Sequence, residues 1–189
     1  MAQDRLTIIV PTHDGEGLDT LFASVAHQLH AGDEVLVVGD TYDSIPDLAS
    51  VPGLEAMRYI EYNAGHHCWG HCQINAGMRE ARGDYLIFID DDDCFPDGAL
   101  DMVRRAIAEQ DEPRPLLFQF WSRRHNAYLP PRHEVRESAI GGHSIVAPNI
   151  PARLGQWGER YAGDYDFIVS TLALWNGDVA WYDEVIACA

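Results

Sequence analysis

The stretch Tyr85-Leu86-Ile87-Phe88-Ile89-Asp90-Asp91-Asp92-Asp93 decides the fold, because an apolar run leads there directly into four consecutive aspartates. An apolar run of this length without polar alternation is typical of a strand that is buried on both faces of a sheet. In open α/β sheets, ligands bind beyond the carboxyl ends of the strands. We therefore expect residues 90–93 to lie in a functional site.

Two interpretations of the four aspartates are open. Adjacent carboxylates repel one another, and some would bind protons unless a cation lay among them. Mg²⁺ and Mn²⁺ prefer carboxylate oxygens and commonly bridge to phosphate oxygens, which favours a metal site. The alternative is a solvated acidic turn that caps the next helix. The position at the end of a buried strand favours the metal site.

The size and charge of the chain restrict the possible partners. The 189 residues, of which 47% are hydrophobic, are typical of one globular domain, which we expect to span residues 1–189. The formal net charge is −17. Nucleic-acid backbones and anionic membranes should repel such a chain, so we expect no nucleic-acid partner. The sequence does not indicate an oligomeric state.

The amino terminus and the cysteines favour a cytoplasmic location. No apolar segment resembling a secretory leader precedes Leu6, and no apolar run approaches the roughly 18 residues that span a membrane. The four cysteines are then expected to be free thiols in a reducing compartment.

Hydrophobic periodicity predicts alternating strands and helices as far as residue 110. Strands are predicted at residues 6–10, 34–38, 57–62 and 85–89, and helices at 18–32, 69–82 and from 96 onward. This alternation is typical of an α/β fold with a mostly parallel central sheet and helices on both faces. The second half is less regular. There we predict strands at 116–121 and 144–147, a hairpin or flap at 122–142, a short helix at 150–156, a helix from 164 and one or two strands at 179–186.

Polar residues follow each of the first four predicted strands. They are Thr12 to Asp14, Asp40, Asn63 and the aspartate run. Because the carboxyl ends of parallel strands meet at one edge of the sheet, these residues should lie close together. Carboxylates at several strand ends predict a binding site at that edge.

The order of motifs in the chain resembles the family 2 glycosyltransferases, which depend on nucleotide sugars and have the GT-A fold, a Rossmann-like fold. The resemblance covers roughly residues 6–175. It rests on the segments at residues 9–14, 37–40, 63–65, 73–77, 83–85, 89–93 and 163–167. Of these, residues 89–93 match the metal-binding DXD element, and residues 163–167 are similar to the acidic motif that holds the catalytic base.

The resemblance implies an inverting, metal-assisted glycosyltransferase of hexosyltransferase type that acts on an unidentified hydroxyl acceptor. It implies Mn²⁺ or Mg²⁺ held by Asp90 and Asp92, with Asp164 as the catalytic base and Asp166 as its rival. A UDP-sugar is the favoured donor, because the carboxylate of Asp40 would accept the N–H of uracil. The residues expected to contact the donor are Pro11, Thr12, Asp14, Asp40, Asn63, Gly65, Asn75, Asp90 and Asp91. Alternation along an extended chain would turn the Asp91 side chain away from the metal.

Two functions of other classes stay open. One is a catalytically silent protein of the same fold that binds a nucleotide or a glycan. The other is a metal-dependent nucleotidyltransferase. The latter would usually have a basic, glycine-rich loop after the first strand, whereas residues 12–17 are acidic, so it ranks lower.

Several single residues have two interpretations each. Asp93 is a second metal ligand or a cap, and His143 is an acceptor-site residue or a turn residue. Trp157 belongs to the core or stacks on a sugar. Arg123-Arg124 contact a diphosphate or belong to a solvated hairpin. The cluster at residues 66–72 binds zinc or lines a pocket.

Overall fold

The computed structural model describes residues 4–13, 15, 17–39, 57–62 and 68–189. In this part of the chain, eight strands form one sheet and four α-helices pack against it. The strands are β1 (Leu6–Thr12), β2 (Glu34–Gly39), β3 (Met57–Glu61), β4 (Tyr85–Phe88), β5 (Leu116–Ser122), β6 (Ala127–Leu129), β7 (Ile145–Pro148) and β8 (Ala180–Cys188). The helices are α1 (Leu18–Val25), α2 (His71–Glu80), α3 (Ala99–Ala108) and α4 (Gly163–Leu174).

The sheet is parallel in its first half and mixed in its second. The order β3-β2-β1-β4 is parallel throughout. Strand β7 then lies antiparallel to both β4 and β5, while β6 is antiparallel and β8 parallel to β5. The predicted α/β class with a mostly parallel central sheet is therefore confirmed.

Helices cover both faces of the sheet because its strands are apolar on both sides. In β1, Leu6, Ile8 and Val10 pack into a core that also contains α1 and α3. The intervening Ile9 packs into a second core with α2 and α4. This two-sided burial explains why the strand sequences are continuous apolar runs rather than alternating ones.

Two predicted elements differ from the observed ones. Helix α1 ends at Val25 and continues only as a 3-10 turn, Ala26–Gln28. The reason is Asp33, whose carboxylate accepts the backbone N–H groups of Leu6 and His30 and pairs with buried Arg104, so that residues 29–33 form a loop. The helix predicted at 150–156 is a 3-10 turn, Pro151–Arg153. The last segment, predicted as one or two strands, is one strand.

The predicted hairpin after β5 is confirmed by the pairing of β6 with the end of β5. Within the residues that the structure describes, no helix has the length and apolar character needed to cross a membrane. The cytoplasmic location stays a prediction.

The topology brings distant segments to one edge of the sheet. The carboxyl ends of β1 and β4 are neighbours there, with Thr12 at one and residues 90–93 at the other. Because β7 runs antiparallel to β4, its amino-terminal end lies at the same edge. The 3-10 turn Gly142–Ser144 directly precedes β7 and so places His143 beside the aspartates.

Candidate functional site

Residues 90–93 form a tight turn rather than an extension of β4. The backbone N–H of Asp93 bonds the carbonyl of Asp90 at 3.3 Å. The turn lies against the loop that follows β1, where Gly17 has φ +93° and a Cβ would lie 2.7 Å from the carbonyl oxygen of Asp91. Asp91 lines the cleft and its carboxylate accepts the hydroxyl of Thr12, so its orientation is set by this turn rather than by the alternation of an extended chain.

Asp93 is the buried member of the aspartate turn, with a side chain that is only 6% exposed. His143 Nε2 donates to its Oδ2 at 2.7 Å, and Arg123 donates to its Oδ1 at 2.9 Å. Arg123 also bonds the carbonyl of Asp92 at 3.0 Å. Arg123 and, when protonated, His143 thus place positive charge beside the turn, which explains how four adjacent carboxylates are tolerated.

Asp90 and His143 influence each other's charge. Desolvation raises the pKa of Asp90, because the group lies within a concave site although half of its side chain is accessible. The positive charge of His143 opposes that rise, while the carboxylates of Asp93 and Asp92 add to it. Burial lowers the pKa of His143, but the hydrogen bond that His143 donates to Asp93 and the charge of Asp90 outweigh burial and leave that pKa raised.

The side chains of Asp90, Asp93 and His143 fit a divalent cation. One ligand atom from each lies within 4.8 Å of the other two, and this is the one such group found among the described residues. Two carboxylates and an imidazole suit Mn²⁺ better than Mg²⁺, which prefers oxygen ligands alone. Metal binding would displace the proton of His143, because imidazole binds metals in its neutral form.

Asp164 and Asp166 differ in their partners. Asp166 is held bidentately by Arg160, with distances of 2.7 and 2.6 Å, and this ion pair lowers the pKa of Asp166. Asp164 accepts a bond from the backbone N–H of Tyr165 at 2.7 Å, and burial raises the pKa of Asp164. Helix α4 has its N-cap at Ala162, so Asp164 lies in the first turn and is not the cap.

A cleft of about 950 Å³ joins these groups. Pro11, Thr12, residues 90–93, His143 and Asp164 all line it. Its rim carries the exposed rings of Trp69 and Tyr161, which meet edge to face at 6.2 Å. The structure therefore brings the carboxylate of Asp164 and a candidate cation site into one solvent-accessible space.

Other predicted site residues lie outside the three-residue group, away from the cleft or outside the described residues. Asp92 is exposed and lines the cleft, but it is not part of the three-residue group with Asp90. The side chain of Asn75 bonds both the backbone N–H and the carbonyl of Trp157, at 3.1 and 2.9 Å, rather than facing the cleft. The predictions for Asp14, Asp40, Asn63 and Gly65 concern positions outside the described residues.

The cluster at residues 66–72 lies only partly within the described chain. Cys68 Sγ bonds Gln73 at 3.6 Å, and His71 Nδ1 donates to the carbonyl of Gly158 at 2.8 Å. His71 also lines the cleft. Its described members pack against neighbouring residues and line the cleft, while His66 and His67 lie outside the described residues.

Sequence reasoning missed His143 as a partner of the aspartates. His143 and Asp93 are 50 residues apart in the sequence, and no motif links them. Only the antiparallel placement of β7 brings the two side chains together. Arg160 was also missed as the partner of Asp166 and of Glu137. Its guanidinium donates to the carboxylate of Glu137 at 3.0 Å.

Comparison with known proteins identifies the family. The family described as Glycosyl transferase family 2 matches residues 7–150. The chain belongs to glycosyl transferase family 2. The match covers β1 to β7 and therefore includes the aspartate turn and His143, whereas α4 with Asp164 lies beyond it.

The relatives of this family 2 chain are longer than the chain itself. It is 31% identical over 110 residues to the uncharacterized glycosyltransferase YwdF of Bacillus subtilis (strain 168), covering 57% of this chain and 40% of YwdF. S. aureus TarS 1–349 superposes with a TM-score of 0.72 at 19% identity, covering 98% of this chain and 60% of that one. The mannosyltransferase PcManGT of Pyrobaculum calidifontis, solved with GDP-Man and Mn²⁺, superposes with a TM-score of 0.65 at 16% identity, covering 100% and 57%. These likenesses establish the glycosyltransferase GT-A fold.

Proposed function

We propose that this chain transfers a sugar from a nucleotide diphosphate sugar to a hydroxyl group of an acceptor, with inversion at the anomeric carbon. The observation that carries the proposal is the position of Asp164, which lines the same cleft as the group Asp90, Asp93 and His143. The reaction needs a base for the acceptor and positive charge for the leaving diphosphate. Asp164 would act as the base, and a cation held by the other three residues would supply the positive charge.

The cation is proposed to be Mn²⁺ or Mg²⁺. When bound, it would neutralise the charge of the departing diphosphate. Asp90, Asp93 and His143 would hold it, and the exposed carboxylate of Asp92 is proposed as a further ligand from the cleft side. Arg123 supports this arrangement by fixing the buried Asp93.

Asp164 is proposed as the general base. The acceptor oxygen attacks the anomeric carbon, the bond from that carbon to the diphosphate oxygen breaks, and the hydroxyl proton passes to Asp164. Attack from the face opposite the leaving group inverts the configuration. Asp166 is less suited to the role, because its bond to Arg160 stabilises the ionised form and lowers its proton affinity.

A UDP-sugar is the proposed donor. TarS 1–349 has been solved with UDP and with UDP-GlcNAc, while PcManGT was solved with GDP-Man, so structures of this fold contain more than one nucleotide. The proposal of uracil recognition by Asp40 concerns a residue outside the described part of the chain. The acceptor is proposed only as a hydroxyl-bearing molecule.

The test is transfer by the purified chain from UDP-glucose, UDP-N-acetylglucosamine and GDP-mannose to a panel of saccharides with Mn²⁺. Product nuclear magnetic resonance should show the anomeric configuration opposite to that of the donor, and chelation of the metal should stop transfer. Nucleotide sugar binding without turnover would make the chain a silent binding protein. Release of pyrophosphate from a nucleoside triphosphate and a sugar phosphate would instead favour a nucleotidyltransferase.

A further inference from the structure

Trp157 belongs to the core, which is the first of its two interpretations. It is 5% exposed, and its ring packs against those of Phe88 and Phe167, with centroids 5.2 and 5.1 Å away. A side chain that stacks on a sugar must instead offer a ring face that solvent reaches.

Three aromatic residues of the described chain are more than half exposed. They are Trp69 at 55%, Tyr128 at 53% and Tyr161 at 65%. Tyr128 packs on Trp121 in the β5–β6 hairpin and is not among the residues that line the cleft. Trp69 and Tyr161 both line the cleft, although they come from distant segments of the chain. Exposed apolar side chains that lie together, unlike scattered ones, mark interaction sites.

Side-chain contacts place both rings on the wall of the cleft. The ring of Trp69 meets that of Tyr161 edge to face, with centroids 6.2 Å apart. The guanidinium of Arg124, in the β5–β6 hairpin, donates to the hydroxyl oxygen of Tyr161. Arg124 also lines the cleft, so the three side chains form one continuous row along its wall.

This row begins next to the proposed reacting groups. Trp69 also lines a cavity of about 60 Å³ beside the cleft, together with Asp90, His143 and Asp164. Tyr161 precedes Asp164 by three residues, in the turn that leads into α4. A molecule lying on the two rings is therefore on the side of the cleft where the proposed base is located.

The backbone holds Trp69 in a conformation that is unusual for a bulky residue. Its φ is +51°, in the left-handed region. Such conformations persist where the surrounding structure imposes them, and they are concentrated at functional sites. The next residue, Gly70, has φ +78°, and a Cβ there would lie 2.9 Å from the Cβ of Pro11. The turn at residues 69–70 therefore packs tightly against the end of β1.

Exposed aromatic rings are chemically complementary to the apolar face of a saccharide. The face of an aromatic ring carries partial negative charge. One side of a pyranose ring presents several C–H groups, whose hydrogens are partially positive, while its hydroxyl groups stay in contact with water. Trp69 and Tyr161 therefore offer a surface on which such a ring can stack without losing the hydration of its hydroxyl groups.

The charges of the cleft favour an acceptor without negative charge. Among the described residues that line it, six are carboxylic acids, against one arginine and four histidines. The proposed cation serves the diphosphate of the donor. A phosphate or carboxylate group on the acceptor would then meet net repulsion.

We propose that Trp69 and Tyr161 form an acceptor platform, and that its occupant is an uncharged saccharide whose pyranose ring stacks on the two side chains. The inference rests on the proposed function, because it places the acceptor beside the base Asp164. Neither residue takes part in the proton transfer. The platform therefore determines the affinity for the acceptor and leaves the affinity for the donor unchanged.

The variants Trp69→Ala and Tyr161→Ala test the platform by separating KM from kcat. Each should raise the KM for a methyl glycoside acceptor roughly 3- to 30-fold, with kcat and the affinity for the nucleotide sugar unchanged. Tyr161→Phe keeps the ring and loses only the bond to Arg124, so it should retain most of the acceptor affinity. Tyr128→Ala is the matched control, because it removes a similarly exposed ring outside the cleft and should leave the acceptor KM unchanged.

Acceptors of three chemical classes test the occupant with the wild type. They are the methyl glycosides of glucose, galactose and N-acetylglucosamine, then glycerol phosphate as an anionic alcohol, and hexanol as an apolar one. Transfer should be most efficient to a methyl glycoside. A preference for glycerol phosphate or hexanol would overturn the inference, as would an unchanged acceptor KM in both alanine variants.

Two further outcomes separate the inference from the proposed function. A loss of nucleotide sugar affinity in Trp69→Ala would assign that ring to the donor and overturn the inference. A wild type that binds a nucleotide sugar but transfers to none of the methyl glycosides would overturn the inference alone. A wild type that binds none of UDP-glucose, UDP-N-acetylglucosamine and GDP-mannose would refute the proposed function itself.

Discussion

Replacing His143 with glutamine should lower the melting temperature most at low pH in the absence of metal, and most at high pH in the presence of Mn²⁺. His143 is 12% exposed, and its Nε2 lies 2.7 Å from Asp93 and 3.7 Å from Asp90. A hydrogen bond between charged groups contributes about 1.5–3 kcal/mol and a neutral one about 0.5–1.5 kcal/mol. Since glutamine keeps a neutral donor, His143→Gln should cost about 1–1.5 kcal/mol, or roughly 2–6 °C in melting temperature for a domain of this size.

The loss should depend on pH in a defined direction. The folded protein raises the pKa of His143 above its usual value of 6.5. The stabilisation by its charge is therefore complete below 6.5 and disappears as the pH rises through the higher folded pKa. The difference in melting temperature between the wild type and His143→Gln should be largest at roughly pH 5.5 and should shrink toward pH 9.

In the presence of Mn²⁺, the difference in melting temperature between the wild type and His143→Gln should instead grow as the pH rises, because Mn²⁺ binds the neutral imidazole. At 100 times its dissociation constant, a ligand of the folded state adds about 2.7 kcal/mol, or roughly 5–11 °C. A variant with 100-fold weaker affinity would gain only about 0.4 kcal/mol at that concentration.

The assay is thermal unfolding of both proteins across this pH range, with and without Mn²⁺. His133→Gln is the matched control, since His133 lies 3.0 Å from Asp183 in a pair that is exposed and outside the cleft. A metal-induced shift in His143→Gln equal to that of the wild type would refute the role of His143. A pH-independent difference would refute its charge pairing with Asp93.

Two further predictions concern the aspartates. Asp93→Asn should abolish the Mn²⁺-dependent affinity for a nucleoside diphosphate and also lower stability, because it leaves His143 without its charged partner. Asp92→Asn should reduce that affinity with little effect on the metal-free melting temperature. Calorimetry checks both variants against the exposed control Asp97→Asn. In the pH dependence of kcat/KM, the acid limb should lie above 3.8, because burial raises the pKa of Asp164, and a limb below 3.8 would point to Asp166.

The strands and the edge of the site could be predicted from the sequence because they depend on local patterns. The apolar runs at β1, β2 and β4 are buried on both faces, and a parallel sheet then fixes where their carboxyl ends lie. Asp90 and Asp164 follow from the same reasoning combined with the family motifs. Helix α1 was predicted too long because the side chain of Asp33, which ends it, acts through residues distant in sequence.

The composition of the cation group could not be predicted from spacing. Asp93 and His143 meet because β7 runs antiparallel to β4, and the sequence of β7 does not reveal its direction. The turn at residues 90–93 also breaks the alternation that would have assigned the side chains. The burial of Trp157 depends on three rings from different elements, which only the folded chain brings together.

The transfer rate of Asp164→Asn beside that of Asp166→Asn tests the central claim most directly. Asparagine at position 164 cannot take the acceptor proton, so the rate should fall by about 10²–10⁴-fold while donor affinity stays at the wild-type value. Asp166→Asn loses only a partly exposed ion pair with Arg160 and should retain most of the rate. Wild-type turnover by Asp164→Asn, together with a large loss in Asp166→Asn, would contradict the account.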